Sequence, residues 1–248
     1  MDEEVIISPK RGRLDPELAE DLILCPMKHF GQVLLTRALG WKRVFKRFRS
    51  FPTFKIGGRR ASLASPATGA PMAVSVAEKG IACGSKRLWL FGCCGSLSDG
   101  LRIGDFLIPE GGLSEEGTSS HYPLPGAQGF PSDPSMREAL RRALEARGYR
   151  FKQGPVWTTD APYRETRGKV IRYAEEGVLG VEMEYTALSR LAAYRGVPFA
   201  ALLLVSDELF SLKWNPGFLN SSFLHGIWRG AQVMLDAISL FTSSQATP

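Results

Sequence analysis

Apolar segments of strand length alternate with segments of helical periodicity along this chain, and that alternation constrains its fold more than any other feature. Continuous apolar runs at 88–91 and 199–205 are typical of strands that are buried on both faces. Between them, apolar residues repeat every four positions within the segment 133–148, as in a helix. Alternating strands and helices predict one domain over residues 1–248, an α/β fold built as a three-layer α/β/α sandwich with a mixed, partly curled central sheet.

The remaining elements follow from the same periodicities and from the glycines and prolines at their ends. Residues 111–134 are rich in Gly, Ser and Pro and lack periodicity, which favours a functional loop. The run 92–95 directly follows a predicted central strand, so its glycines would let the backbone approach a ligand closely. Further strands are predicted over 22–25, 60–64, 105–109 and 156–159, and further helices over 32–49, 72–82, 185–194 and 223–241.

The composition is that of an ordinary globular protein. Of its 248 residues, 44% are hydrophobic and 23% are charged. No apolar run approaches the roughly 20 residues needed to cross a bilayer, and the N-terminus is acidic where a signal peptide is basic. The four cysteines lack zinc-like spacing and lie mostly in apolar segments. These features predict a cytoplasmic protein with reduced thiols, no membrane partner and no metal site.

Basic residues cluster between Lys42 and Arg49, although the net charge of the chain is only +6. Val and Phe residues lie between them, a pattern typical of a basic amphipathic helix. A solvated helix face is one interpretation, and an anion-binding or subunit-contact surface is another. Because no recognisable nucleic-acid-binding module accompanies the cluster, we expect no nucleic-acid partner.

Three acidic residues stand where two predicted elements end. Glu182 and Glu184 lie two positions apart at the start of a predicted helix, and Asp207 follows a long apolar strand. In open α/β sheets, ligands bind beyond such strand ends, so these carboxylates are candidate binding or catalytic groups. The alternative for Glu184 is that it only caps the helix N-terminus, and for Asp207 that it caps a turn.

Seven short segments, spread in order over roughly residues 55–210, form a wider pattern. They are Ser65–Gly69, Phe91–Ser96, Leu101–Asp105, Glu115–Thr118, Trp157–Asp160, Gly180–Glu184 and Val205–Asp207. Together they resemble the purine and uridine phosphorylase family of nucleoside-cleaving enzymes. The resemblance implies an α/β sandwich that assembles into homo-oligomers, dimers or trimers of dimers, with each pocket closed partly by a neighbouring subunit.

The resemblance also implies a reaction, the cleavage of the N-glycosidic bond of a nucleoside by phosphorolysis, as in nucleoside salvage by pentosyltransferases. Met183 and Glu184, with Glu182 beside them, would bind the ribose, since a carboxylate accepts hydrogen bonds from sugar hydroxyls and a thioether packs against the ring. Asp207 would be the catalytic acid, because the departing base accumulates negative charge and needs a proton.

The base side of the pocket departs from the family pattern. The Gln by which uridine-directed relatives bind the pyrimidine is missing from the segment 160–166, so we expect a purine-type base. Pro162 replaces a family Phe, which leaves other aromatic side chains to stack on the base. The predicted base-binding residues are Thr159, Tyr163, Trp157, Cys94 and Gly95.

The nucleophile side departs further. Leu90 stands where phosphorolytic relatives have an Arg, and Cys93 stands where they have a hydroxyl. A phosphate dianion without a bidentate guanidinium would lose much of the usual compensation for its desolvation. The predicted phosphate or nucleophile site comprises Thr68, Gly69, Gly92, Cys93 and Arg37.

Three explanations for these departures stay open. Phosphate, the expected cosubstrate, could be bound by other cations: Lys28, Arg37, Arg59 or Arg60. Alternatively, water could be the nucleophile, which would make the protein a nucleosidase. Third, the pocket could bind a nucleoside without turnover. In none of these cases does the sequence predict an organic cofactor or a metal.

Overall fold

A computed structural model of the chain describes residues 5–39, 53–56, 59–124, 126 and 129–244. All strands in these ranges belong to one sheet. The strands are β1 (Asp21–Leu24), β2 (Thr53–Ile56), β3 (Arg59–Ala64), β4 (Arg87–Ser96), β5 (Phe106–Glu115), β6 (Phe151–Thr159), β7 (Gly180–Glu182), β8 (Phe199–Glu208) and β9 (Asn215–Pro216). The α-helices are α1 (Lys28–Leu39), α2 (Ala70–Ala82), α3 (Pro134–Glu145), α4 (Arg167–Glu175), α5 (Tyr185–Arg195) and α6 (Ser221–Ser244).

Strand pairing closes part of the sheet on itself. β4 runs parallel to β8 and antiparallel to β7, β7 and β5 run parallel to β6, and β5 pairs antiparallel with β8. These five strands therefore form a closed ring, and β1, β3 and β2 extend from β4 as an open sheet. Parallel and antiparallel pairs coexist in it, so the predicted mixed and partly curled sheet is confirmed.

Helices cover both faces of the sheet. On one face, α6 packs against α1 and α3, and Trp89 and Phe91 of β4 point into the core between them. On the other face, α2 packs against α5, and Leu88 and Leu90 of the same strand point into a second core. Successive side chains of a strand point to opposite faces, so one continuous apolar run supplies both cores. The three-layer α/β/α architecture is confirmed.

Local sequence signals explain several element ends. The Asp133 side chain accepts a hydrogen bond from the Met136 N–H at 2.8 Å and caps α3, as the sequence predicts. Gly196 ends α5 in the left-handed conformation, with φ 65°. The sequence did not predict α4, whose Thr166 cap lies in a polar segment.

Two predicted boundaries differ from the structure. The run 92–95 continues β4 rather than leaving it, and residues 111–115 of the predicted loop belong to β5. Both strands are long because they pair inside the closed ring. Of the helix predicted over 32–49, α1 covers the part up to Leu39, and the basic cluster lies outside the described residues.

Candidate active site

Three strands of the ring bring the predicted acidic residues together. Gly95 of β4 is opposite Val181 of β7 on one side and opposite Asp207 of β8 on the other. Along β4 and β8 the register shifts by one residue, because Cys94 is opposite Val205 and Gly95 is opposite Asp207. Ser206 is the extra residue of this irregularity. Such an insertion changes the direction in which the following side chain points.

Glu182 is buried and its carboxylate is bound by the protein itself. The Thr158 hydroxyl donates to Oε1, and the backbone N–H groups of Glu184 and Tyr185 each donate to Oε2 at 2.7 Å. The two backbone donors are at the start of α5, where a negative charge is favourable. Burial raises the pKa of Glu182, whereas these hydrogen bonds lower it. The side chain therefore supports the N-terminus of α5, rather than presenting free oxygens to a sugar.

Glu184 is also buried, but it makes no side-chain cap on α5. Its Oε1 instead accepts a hydrogen bond from the Gly69 N–H at 2.6 Å. Burial raises the pKa of Glu184, and the nearby Glu182 charge raises it further. Gly69 has φ 80°, which L side chains rarely adopt, and faces open space. The alternative that Glu184 caps the helix is not what the structure shows.

Asp207 is partly exposed and has a donor on each carboxylate oxygen. The Ser206 hydroxyl donates to Oδ1 at 2.7 Å, and the Trp214 indole N–H donates to Oδ2 at 3.0 Å. Oδ2 lies above Gly95, where a Cβ would be 3.0 Å from Oδ2 and 2.5 Å from Leu209 Cδ1. Residue 95 must therefore be glycine if the carboxylate is to keep this position.

The charges of the three acidic residues all act on the thiol of Cys93. Its side chain is mostly buried, with Sγ 3.4 Å from the Met27 sulfur. Burial raises the pKa of this thiol to about 12, and the charges of Glu184, Asp207 and Glu182 contribute to the increase. All three acids therefore act on one neutral thiol at the middle of β4. Met183, between the two glutamates, is partly exposed.

A fourth acid, Glu165, was not predicted from the sequence. It follows the one-turn helix Pro162–Arg164, and burial raises its pKa to about 7, with the Asp207 charge contributing to the increase. Trp214 was missed as well. Each of them follows a strand end by only six residues, and that proximity in sequence was the one available signal.

Only some of the residues predicted for the phosphate or nucleophile site lie close to one another. The Thr68 hydroxyl donates to the Pro26 carbonyl at 2.6 Å, next to Gly69. Gly92 has room for a Cβ at ordinary contact distance. The Arg37 guanidinium donates to Gln232 and lies over the Trp228 ring, so α6 engages it. Lys28 is exposed. The side chains of Arg59 and Arg60 lie outside the described residues.

On the base side, several predictions need correction. Trp157 is 0% exposed and packs against Tyr173, with ring centroids 4.9 Å apart, so it is a core residue. Cys94 is 2% exposed because it points into the α2 and α5 core, opposite in direction to Cys93. Thr159 is buried and its hydroxyl accepts from the Ala161 N–H at 3.2 Å. Tyr163, in contrast, is fully exposed to solvent.

Comparison with known proteins identifies the family. A family model described as the phosphorylase superfamily matches residues 22–220, which is most of the chain. The chain belongs to the phosphorylase superfamily. It is 30% identical over 215 residues to the DeoD-type purine nucleoside phosphorylase of Bacillus cereus, across 84% of this chain and 88% of the relative. The proteins of Bacillus thuringiensis and Bacillus mycoides with the same description are 29% identical over equal shares.

Solved structures share the fold of this phosphorylase superfamily member. Purine nucleoside phosphorylase from Toxoplasma gondii in complex with immucillin-H has a TM-score of 0.79 at 18% identity, covering 97% of this chain and 99% of that one. Uridine phosphorylase from Vibrio fischeri has a TM-score of 0.77 at 19% identity, covering 90% and 93%. At identities below 20%, the likeness to these solved structures shows the fold alone.

Neither His, Cys, Asp nor Glu side chains form a group of three or more that could hold a metal ion in the described part of the chain. No described helix combines the length and the apolar character needed to cross a membrane.

Proposed function

We propose that this protein cleaves the N-glycosidic bond of a purine nucleoside by phosphorolysis. The observation that carries the proposal is that the Glu184 and Asp207 charges both act on the partly exposed Cys93, and that Glu184 accepts from the N–H of Gly69, which faces open space. One carboxylate for the sugar and a second for the base are what the reaction requires. The purine nucleoside phosphorylase relatives favour a purine over a pyrimidine.

Glu184 would bind the ribose. Its carboxyl group accepts a hydrogen bond from the Gly69 N–H. The Glu182 carboxylate accepts one from the Glu184 N–H and so holds the start of α5. A carboxylate held in this way can accept hydrogen bonds from two sugar hydroxyls. The adjacent Met183 is partly exposed, so its thioether is available to pack on the sugar face.

Asp207 would protonate the base as it leaves. A phosphate oxygen bonds to C1′ as the C1′–N9 bond breaks, the electron pair of that bond moves to the purine, and the proton of the Asp207 carboxyl moves to a ring nitrogen. The carboxylate that remains is stabilised by two donors, the hydroxyl of Ser206 and the indole of Trp214. General acids of this kind contribute about 10²- to 10⁴-fold to the rate.

Hydrolysis by water is the second candidate. One observation favours it: the neighbouring charges that raise the pKa values of Glu184 and Cys93 come from the acids Glu182, Glu184 and Asp207. A phosphate dianion entering such surroundings requires cations. In the phosphorolytic proposal these come from residues such as Lys28, Arg59 and Arg60, or from a neighbouring copy of the chain.

The discriminating experiment incubates the protein with inosine, adenosine, guanosine and uridine, with and without phosphate. Phosphorolysis predicts base release that depends on phosphate, together with ribose 1-phosphate. Free ribose at equal rates in both conditions would establish the nucleosidase, and nucleoside binding without any turnover would contradict both. In the active protein, Asp207→Asn should lower kcat about 100-fold or more with little change in KM. Glu184→Gln should impair both constants.

We further propose that the enzyme is a cytoplasmic homo-oligomer, a dimer or a trimer of dimers, which uses phosphate as a cosubstrate and no cofactor. The free thiols of Cys25, Cys83, Cys93 and Cys94 suit a reducing compartment. Large apolar side chains exposed on the single chain, such as Tyr163 and Leu219, suit subunit contacts. Light scattering of the purified protein gives the molar mass that tests the assembly.

A further inference from the structure

The segment after β8 folds back onto the residue proposed as the acid. Leu212 has φ 60°, an unusual conformation for a non-glycine residue, and its N–H donates to the Leu209 carbonyl at 2.7 Å. The chain then pairs as β9 with the end of β8, Asp207 opposite Pro216. This tight reversal returns Trp214 to the carboxylate from which the segment departed.

Trp214 is unusual in both exposure and contact. Its side chain is 65% exposed, although Trp is among the residues that gain most from burial. Its indole N–H donates to Asp207 Oδ2 at 3.0 Å. A turn that fixes a largely exposed indole on one carboxylate oxygen is not explained by core packing.

The surroundings of Asp207 make this donor important. The Asp207 charge raises the pKa of another acid, Glu165, and contributes to the raised pKa values of the thiols of Cys93 and Cys94. None of these groups stabilises a negative charge on Asp207. The Ser206 hydroxyl on Oδ1 and the Trp214 indole on Oδ2 do so.

We propose that Trp214 is a positioning residue for Asp207, which orients the carboxyl group over Gly95 and stabilises the carboxylate that remains after proton transfer. The inference rests on the proposed function for the proton transfer, whereas the contact itself is independent of it. The N–H donor on Oδ2 holds the carboxyl group over Gly95 and compensates the negative charge that forms there as the proton leaves. Ground-state sugar binding by Glu184 does not involve it, so the effect belongs in kcat.

The kinetic test replaces Trp214 with Phe, which keeps an aromatic ring and removes the N–H. We expect kcat to fall roughly 10- to 100-fold with KM changed by less than about threefold, since the hydrogen bond is to a charged group. The matched control is Ser211→Ala in the same segment, at an exposed residue whose hydroxyl donates to the Lys213 carbonyl and not to Asp207, and it should retain wild-type constants. An unchanged kcat in Trp214→Phe would overturn the proposal.

A double-mutant cycle separates this role from a structural one. In the Asp207→Asn background, Trp214→Phe should change kcat by no more than about twofold, because the charge that the indole stabilises is gone. Equal effects in both backgrounds would mean that Trp214 acts independently of Asp207, which contradicts the proposal.

A spectroscopic measurement tests the contact without turnover. In protein labelled with ¹⁵N-tryptophan, the indole signal that Trp214→Phe removes should shift and exchange faster with solvent in Asp207→Asn. If no nucleoside is cleaved, the proposed function fails, and the indole signal then tests the contact between Trp214 and Asp207 by itself. A signal that depends on Asp207 supports the contact, and a signal that does not refutes it. The two failures are therefore distinguishable.

Discussion

Replacing Glu182 and Glu184 separately by Gln should separate stability from activity, although the residues are two positions apart and equally buried. Glu182 accepts hydrogen bonds from the Thr158 hydroxyl and from the Glu184 and Tyr185 N–H groups. A Gln has one acceptor oxygen, and its amide nitrogen would then face a donor. Glu184 accepts from Gly69, and a Gln oxygen can accept that bond equally well.

The magnitudes follow from these contacts. Glu182→Gln loses at least one hydrogen bond to a charged acceptor, worth about 1.5–3 kcal/mol, and leaves a buried donor facing another. We expect a net loss of about 2–4 kcal/mol in the free energy of unfolding, or a decrease in Tm of roughly 5–15 °C for a chain of this size. Burial and the Glu182 charge raise the pKa of Glu184 to about 8, so the neutral form is favoured at neutral pH and a neutral Gln should leave stability unchanged or higher.

Urea unfolding of both variants at one protein concentration and neutral pH measures the difference, with nucleoside cleavage assayed in parallel. Glu182→Gln should unfold at lower urea with an unchanged m-value, and Glu184→Gln should unfold like the wild type but cleave poorly. The reasoning is refuted if Glu184→Gln is the less stable protein, or if Glu182→Gln is as stable as the wild type.

Two further outcomes follow from the same groups. The folded state holds a proton on Glu184 that the unfolded state releases between its ordinary pKa of 4.5 and the raised value of about 8. The wild type should therefore lose stability relative to Glu184→Gln as the pH rises through that window, in urea midpoints measured at each pH, and parallel curves would contradict this. Gly95→Ala should cost about 1–3 kcal/mol and reduce kcat at least tenfold, because the new methyl would displace Leu209 and Asp207. Gly111→Ala in β5, where no atom lies within 4 Å of a Cβ, is the control that should stay active.

The sequence predicted the layers of the fold because these depend on periodicity. The apolar run of β4 and the repeat of α3 each specify which side chains are buried, whatever the topology. Closure of the ring depends instead on the pairing of β4 with β8 and of β5 with β8. Those pairs join residues more than 90 positions apart, and no local signal encodes them.

The acidic residues of the candidate site were predicted from their positions at element ends, whereas residue type alone was a poor guide. Glu184 and Asp207 were named as functional groups by their positions at element ends. The structure places β7, which ends two residues before Glu184, and β8, which contains Asp207, on opposite sides of Gly95 in β4. Trp157 was chosen because an aromatic ring suits a base, but its neighbours bury it in the core. Trp214 was missed because the reversal at Leu212 that returns it to Asp207 depends on backbone conformation.

Ser206, the extra residue of β8, determines which residue of β4 is opposite Asp207. Val205 is opposite Cys94 and points into the core, and only the one-residue shift sets Asp207 opposite Gly95 with its carboxyl beside the indole. Shortening the strand by that serine would restore a regular ladder, a gain for the sheet, and would turn the acid away from its present neighbours. A regular strand and the present position of the Asp207 carboxyl therefore exclude each other at this one residue.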